Sequence, residues 1–360
     1  MRNRLPSAST LGASFVFLVI VILFFIFQSV QNEPYVENPQ IAIDSGPWEI
    51  YFTKPAGLAS TNNLEDPEAI LVEAIDSARY SIDMAMYHLN LWSVRDALIR
   101  AHRRGVVVRL VTEEANVSIP EVQALVRAGI DVKPDKGLGI MHHKFVVIDS
   151  TEVWTGSLNL TWSGLYRNNN HIFRINSPEV AANYLQEFNE MMLEGRFGTA
   201  SKRNTPNPIL ELDDGIVEVY FSPDNGVVSR ILKLLAEADD TIDLMAFSFT
   251  SDPIGEAILE RYREGVNVRV LVESAQAEAT GSETPRLRAE GVDIFLDGNP
   301  DTMHHKVIII DSEYVIFGSY NFTRSAEKVN DENVLIIHHQ GLAAEFLGEF
   351  NRLLDQASNR

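Results

Sequence analysis

Two stretches of this 360-residue chain carry side chains suited to acid–base and anion chemistry. Met141 opens MHHKFVVIDSTEVWTGSLNL and Met303 opens MHHKVIIIDSEYVIFGSYNF. Each reads His-x-Lys, four residues, Asp, six residues, Gly-Ser-x-Asn. In a strand the period of two puts His142 and Lys144 on one face and His143 on the other, and sets His304 and Lys306 against His305 in the same way. An imidazole and an ammonium one strand-step apart suit an anionic group such as phosphate. Gly156 and Gly318 permit close backbone approach, and Ser157, Asn159, Ser319 and Asn321 offer hydroxyls and amides. One copy alone would read as turn chemistry, because Ser and Asn often hydrogen-bond their own backbone. Two copies, holding four of the nine histidines, point to function.

The repeat extends well beyond these stretches, and internal repeats decide architecture. His142 and His304 are 162 residues apart, and SIDMAMYHLN at Ser81 faces TIDLMAFSFT at Thr241. RRGVVVRLVTEEA at Arg103 faces REGVNVRVLVESA at Arg263, and RAGIDVKPD at Arg127 faces RAEGVDIFLD at Arg288. Within each copy strand and helix signals alternate. Asp66 caps a helix with Pro67 at its first position, and SIDMAMY follows as a buried strand. A helix from about Ser93 ends at Gly105, VVVRLVT is a strand, and Ser118 with Glu121 forms a capping box for a helix ending at Gly129. IDVKPD, KFVVID and EVWTG are short strands before a last helix near Pro178. The second copy predicts helices at 227–236, 252–264, 285–290 and 342–354. The fold class is α/β: two tandem modules of mixed β-sheets flanked by helices.

Composition narrows the function classes. At 45% hydrophobic and 22% charged residues the chain is globular. A net charge of −20 opposes a broad electrostatic grip on nucleic acid, although a local basic pocket remains open. With no cysteine, disulfides, thiol catalysis and Cys-ligated metals are excluded. Arg2 and Arg4 precede a nearly unbroken apolar run, Leu11 to Phe27. No Ala-x-Ala pattern follows it, which favours an uncleaved N-terminal transmembrane helix over a cleaved signal peptide. The flanking charge leaves the N-terminus in the cytosol, so the rest of the chain is expected outside the cytoplasm, secreted if the segment is cleaved. The expected divisions are an anchor at 1–32, a linker at 33–47, a first module at 48–197, a linker at 198–214 containing GTASKRNTPNP, and a second module at 215–360.

The doubled motif resembles the HKD motif of the phospholipase D superfamily, and the resemblance covers both modules from about Trp48 onward. It implies two modules related by a pseudo-twofold axis, whose motifs share one active site at their interface within a single, monomeric chain. One phosphate then has an imidazole on each side. It implies a metal-independent phosphodiesterase acting through a phosphohistidine, with His142 as nucleophile and His304 as general acid and base. Lys144, Lys306, Asn159 and Asn321 would hold the equatorial oxygens, with Ser157 and Ser319 as weaker contributors. No cofactor or metal is expected, no metal-ligand cluster is visible in the spacing, and adjacent histidines such as His142 and His143 point to opposite faces. Asp149 and Asp311, five residues past their lysines, are expected to be structural.

The family's imidazole-orienting residue lies further on: Glu332 within NDEN, and Asn170 within NNNH. A carboxylate raises the basicity of the imidazole it binds, whereas an amide only orients it. If each residue serves its own motif, His304 is the better proton carrier and His142 the better neutral nucleophile. The expected substrate is a phospholipid, hydrolysed or transferred at its phosphatidyl group by an enzyme held near lipid by its anchor. The alternative is an extracytoplasmic endonuclease of the same superfamily, with nucleic acid entering only as substrate; a catalytically silent scaffold comes last, since both motifs are intact. Tyr87, Trp162, Tyr166 and Phe247 could stack on a base or line an acyl pocket, although packing is the simpler role for each.

Overall fold

Hydrophobic runs without alternation, such as KFVVI and KVIII, can lie only in strands covered on both faces. The computed structural model describes residues 47–55, 66–212 and 215–358 and places these runs at the centre of two sheets. The anchor and most of the first linker lie outside the described residues, among which no helix is long and apolar enough to cross a membrane.

The first sheet contains β1 (Trp48–Phe52), β2 (Ser81–Met86), β3 (Val107–Thr112), β4 (Asp131–Pro134), β5 (Lys144–Ile148), β6 (Glu152–Gly156) and β8 (His171–Asn176). Its order is β1-β8-β6-β5-β2-β3-β4. β2, β3 and β4 run parallel, while β5 pairs antiparallel with β2 and β6. The second sheet is built from β9 (Ile209–Leu212), β10 (Gly215–Ser222), β11 (Thr241–Ala246), β12 (Asn267–Val272), β13 (Asp293–Leu296), β15 (Lys306–Ile310), β16 (Tyr314–Gly318) and β17 (Glu332–His338). It repeats the pattern as β13-β12-β11-β15-β16-β17-β10-β9. Two short strands, β7 (Asn168–Asn169) and β14 (Thr302–Met303), pair with each other across the modules.

The helices form where capping signals start them. Asp66 accepts the Glu68 N–H at the head of Pro67–Ser77, and Ser177 accepts the Val180 N–H at the head of Pro178–Asn189. The expected capping box is not formed: Pro120 opens its helix, Pro120–Arg127, and the N-cap is Ile119 without a side-chain bond. Proline favours the first helical position, so Ser118 lies one residue too early. Part of the stretch read as the connection between modules, Ile209–Leu212, is the edge strand of the second sheet. The polar residues before it dock on the first module, where Asn207 exchanges hydrogen bonds with Asn183.

Each sheet has an outer apolar layer beneath its own helices. The inner faces share one core with Pro178–Asn189 and Gln340–Ser358 between them. Phe346, fully buried, meets Phe52 at 5.4 Å and His171 at 5.3 Å from the first module, and Phe317 at 5.1 Å from its own. The duplicated strand aspartates recur here as twin ion pairs. Asp83 binds Arg109 and Asp243 binds Arg269, each at 2.6 Å, with the guanidinium groups over Phe188 and Phe350.

Because Phe346 locks the two inner faces together, Phe346→Ala should lower unfolding stability by about 3–5 kcal/mol. Urea unfolding followed by tryptophan fluorescence would check this, and a loss below about 1 kcal/mol would contradict a shared core.

Candidate active site

Each motif histidine leaves its strand at the point where main chain from the other module arrives. The His142 N–H donates to Asp331 O at 2.9 Å and Asp331 N–H to Ile140 O at 3.0 Å; reciprocally, the His304 N–H donates to Asn169 O at 2.9 Å. Two further carboxylates hold the same segments: Glu113 accepts the Met141 N–H at 3.0 Å and Glu273 accepts the Met303 N–H at 2.6 Å. Gly156 and Gly318 end their strands at φ 150 and 152, where a Cβ would collide with the carbonyl oxygens of His171 and Asn333.

This exchange places the orienting residues across the interface. Glu332 Oε2 meets His142 Nδ1 at 2.8 Å, and Asn170 Oδ1 meets His304 Nδ1 at 2.9 Å. The expectation that each orienter serves its own motif is therefore corrected. The backbone registers Asp331 beside His142 and Asn169 beside His304, so the next residue in each chain is delivered to the opposite module. The Asn170 Nδ2 donates to Gly164 O at 2.9 Å, which leaves its oxygen for His304. Both imidazoles thus donate from Nδ1 and keep Nε2 for chemistry.

Lys144 Nζ donates to His142 O at 2.8 Å and lies 5.3 Å from the Tyr87 ring centre; Lys306 Nζ donates to His304 O at 2.6 Å and lies 4.9 Å from that of Phe247. The same two rings meet the imidazoles of His142 and His304 edge-on, at 5.0 and 4.9 Å. Tyr87 and Phe247 are therefore walls of the site, whereas Trp162 and Tyr166 sit together at the surface, beside Trp92 and Glu68. The side-chain oxygens of Asn159 and Asn321 are buried without a hydrogen-bond partner.

The serines are placed differently from expectation. Ser157 Oγ donates to Asn170 Oδ1 at 2.9 Å and Ser319 Oγ to Glu332 Oε2 at 2.6 Å, so each hydroxyl proton is used on an orienting residue rather than on phosphate. Asp149 accepts the N–H groups of Arg79, Tyr80 and Ser81, and Asp311 those of Asp239, Asp240 and Thr241, at the far end of their strands. Spacing revealed no metal-ligand cluster, but the structure gathers one: His143, Glu187 and Asp331 offer ligand atoms within 4.8 Å of one another. They come from three distant segments, which no local motif displays. Burial pushes both carboxyls well above the usual range, with neighbouring acids adding to the effect. His171 also escaped the sequence reading. It stacks on His305 directly behind the site, and its only signal was a histidine in NNNH where the twin has asparagine.

Electrostatically the site gathers cationic groups that burial and mutual repulsion weaken. Burial, then the two lysines, holds His142 and His304 well below the usual imidazole range. Burial brings Lys144 down to about 7 and Lys306 well below the usual ammonium range. Burial also raises Glu332 to about 7, against the pull of Lys144. An oxyanion between these groups would favour their protonated forms.

A two-module α/β protein with a pair of His–Lys motifs facing each other across one interface is a phosphodiesterase-type enzyme. The chain belongs to the family described as cardiolipin synthase, PLD-like domain, within the phospholipase D superfamily, whose model matches residues 71–192 and again 231–354. It is 30% identical over 187 residues to a mitochondrial cardiolipin hydrolase of Chlamydomonas reinhardtii, covering 45% of this chain and 84% of that protein. A phospholipase D of Rickettsia conorii is 36% identical over 151 residues, covering 42% of this chain and 74% of that protein. Among solved structures, the phosphatidylserine synthase of Haemophilus influenzae superposes with a TM-score of 0.62 over 88% of both chains at 14% identity, a likeness of fold.

Binding of orthophosphate at pH 7 should draw about one proton onto the protein, because every lowered lysine and imidazole pKa rises beside an anion. Calorimetry in buffers of different ionisation enthalpy measures this directly. Proton release, or no buffer dependence, would contradict the cationic pocket.

Proposed function

We propose that the protein cleaves the phosphodiester of phospholipids through a phosphohistidine, hydrolysing the phosphatidyl group or passing it to an alcohol. The observation that carries the reading is the crossed pairing, a carboxylate behind His142 and an amide behind His304. His142 Nε2 attacks phosphorus, forming the P–N bond as the P–O bond to the leaving group breaks. His304 Nε2–H gives its proton to the departing oxygen. In the second half, His304 Nε2 takes a proton from water or an acceptor alcohol as that oxygen displaces His142.

Crossed pairing removes the earlier argument for these roles, which made the carboxylate-bound imidazole the proton carrier. The assignment rests instead on where charge persists. A phosphorylated imidazole is cationic throughout the intermediate, and Glu332 balances it; an acid without a carboxylate partner gives its proton up more readily. Lys144, Lys306, Asn159 and Asn321 hold the equatorial oxygens.

A lipid substrate is supported by the names of the relatives, phospholipase D and cardiolipin hydrolase, and by the net charge of −20, which disfavours nucleic acid. In this reading residues 1–32 hold a single active chain at a membrane, with both modules outside the cytoplasm, and no metal takes part.

The full chain in detergent, given phosphatidylcholine vesicles, cardiolipin vesicles, and single- and double-stranded DNA with EDTA present, should turn over lipid and leave DNA intact. DNA nicking without lipid turnover would make it the endonuclease instead, and loss of activity in EDTA would end the metal-free scheme. His142→Asn and His304→Asn should each lose about 10³-fold or more. Only His304→Asn should accumulate a phosphoryl-enzyme, and accumulation in His142→Asn would reverse the roles.

The profile of kcat/KM against pH should be a bell centred near 7. Below about 7 Glu332 becomes protonated, and above about 7 Lys144 loses its charge. Glu332→Gln should abolish the acid limb and lower kcat by about 100-fold with little change in KM; survival of that limb would assign it to another group.

A further inference from the structure

The two imidazoles are backed unequally, and a buried chain of side chains lies behind only one of them. His171, fully buried, has its Nδ1 at 3.0 Å from His305 Nδ1, with the rings stacked at 5.3 Å. His305 Nε2 meets Glu349 Oε1 at 3.1 Å, and Arg352 binds both oxygens of Glu349 at 2.7 Å. On its other side His171 Nδ1 is 3.4 Å from Ser157 Oγ, the hydroxyl that bonds Asn170 Oδ1 beside His304. The chain therefore runs Arg352, Glu349, His305, His171, Ser157, Asn170, His304.

Its protons can be placed by elimination. Two nitrogens 3.0 Å apart require one donor and one acceptor. Burial raises the Glu349 carboxyl, but the bonds from His305 and Arg352 outweigh this and leave it below the usual range, so it is ionised and accepts only. His305 therefore carries its proton on Nε2 and accepts at Nδ1, which obliges His171 to donate from Nδ1. The His171 Nε2 is then a bare lone pair, and it is the nitrogen found buried without a partner. With its Nδ1 already protonated, His171 offers Ser157 no acceptor, so the hydroxyl proton goes to Asn170 Oδ1. That oxygen is thereby held toward His304 Nδ1–H.

The twin side keeps the first link, His143 Nε2 to Glu187 Oε1 at 3.2 Å, but has no second imidazole. Asn333 stands where His171 stands and donates to Thr155 Oγ1 at 2.6 Å. His143 Nδ1 has no partner, and burial pushes Glu187 well above the usual carboxylate range. His142 is oriented by a carboxylate, whereas His304 Nδ1 is shared between two neutral acceptors, Asn170 Oδ1 at 2.9 Å and the Ser157 carbonyl at 3.1 Å, which hold its proton more weakly and gain from reinforcement.

We infer that His171, acting with His305 and Glu349, is a positioning residue that reinforces, through Ser157 and Asn170, the Nδ1–H tautomer of His304 and keeps its Nε2 aimed at the leaving group. This rests on the reading of His304 as the acid. It predicts damage that depends on how much the leaving group needs a proton.

The test uses the full chain in single-turnover experiments with two substrates: phosphatidylcholine, whose leaving oxygen needs a proton, and bis(p-nitrophenyl) phosphate, whose leaving group departs without one. His171→Asn should slow the first about 10- to 100-fold and the second less than about 3-fold. Glu349→Gln, which can donate to His305 Nε2 and so reverse the chain, should give the same pattern. Nitrogen-15 NMR of the histidines should show His305 protonated on Nε2 and His171 on Nδ1 in the wild type, and the reverse in Glu349→Gln. Equal loss on both substrates, or a wild-type His171 protonated on Nε2, overturns the inference. His304→Ala is the control for the underlying reading: if it slows both substrates equally, His304 is not the acid, whatever His171 does. Should His171→Asn fail to fold, the spectra of the wild type and Glu349→Gln still decide.

Discussion

The structure depends on a few main-chain hydrogen bonds that cross between modules. His142 bonds the carbonyl of Asp331, and His304 bonds that of Asn169. Backbone bonds have a fixed register, so these contacts specify which residue follows beside each imidazole. They also mean that neither module has a complete site alone. Docking two copies of one module brings a His–Lys pair to each side of one pocket from the same structural plan.

The plan is symmetric in its backbone and asymmetric in its charge. Glu332 and Asn170 occupy equivalent places, yet one can balance a persistent cation and the other cannot. Burial makes this difference effective, because the low-polarity surroundings that weaken four cationic groups also strengthen each local partner. The same divergence continues one layer deeper, where His171 faces His305 on one side and Asn333 faces His143 on the other. Duplication thus set equivalent positions, and substitution at a few of them made the surroundings of the two imidazoles unequal.

Much of this was legible in the chain. Asp149 and Asp311 could be set aside as structural from spacing alone, because five residues of strand carry them to the opposite end of the sheet from the lysines. Glu332 could be named from the family resemblance, and Asn170 by aligning the copies. Their partners could not, because the chain that carries each residue crosses to the other module and no local pattern records that. Ser157 and Ser319 were misjudged for a related reason: a hydroxyl has one proton to give, and only the folded neighbourhood reveals where it goes.

Repetition, strand period and the glycines that allow close approach are properties of neighbours along the chain, so the sequence by itself determined two α/β modules and one His–Lys pair in each. Which carboxylate or amide stands behind which histidine is a property of neighbours in space. Only the tertiary structure decided it, because the inter-module backbone register, fixed when the shared core closes around Phe346, delivers each orienting residue to the opposite motif.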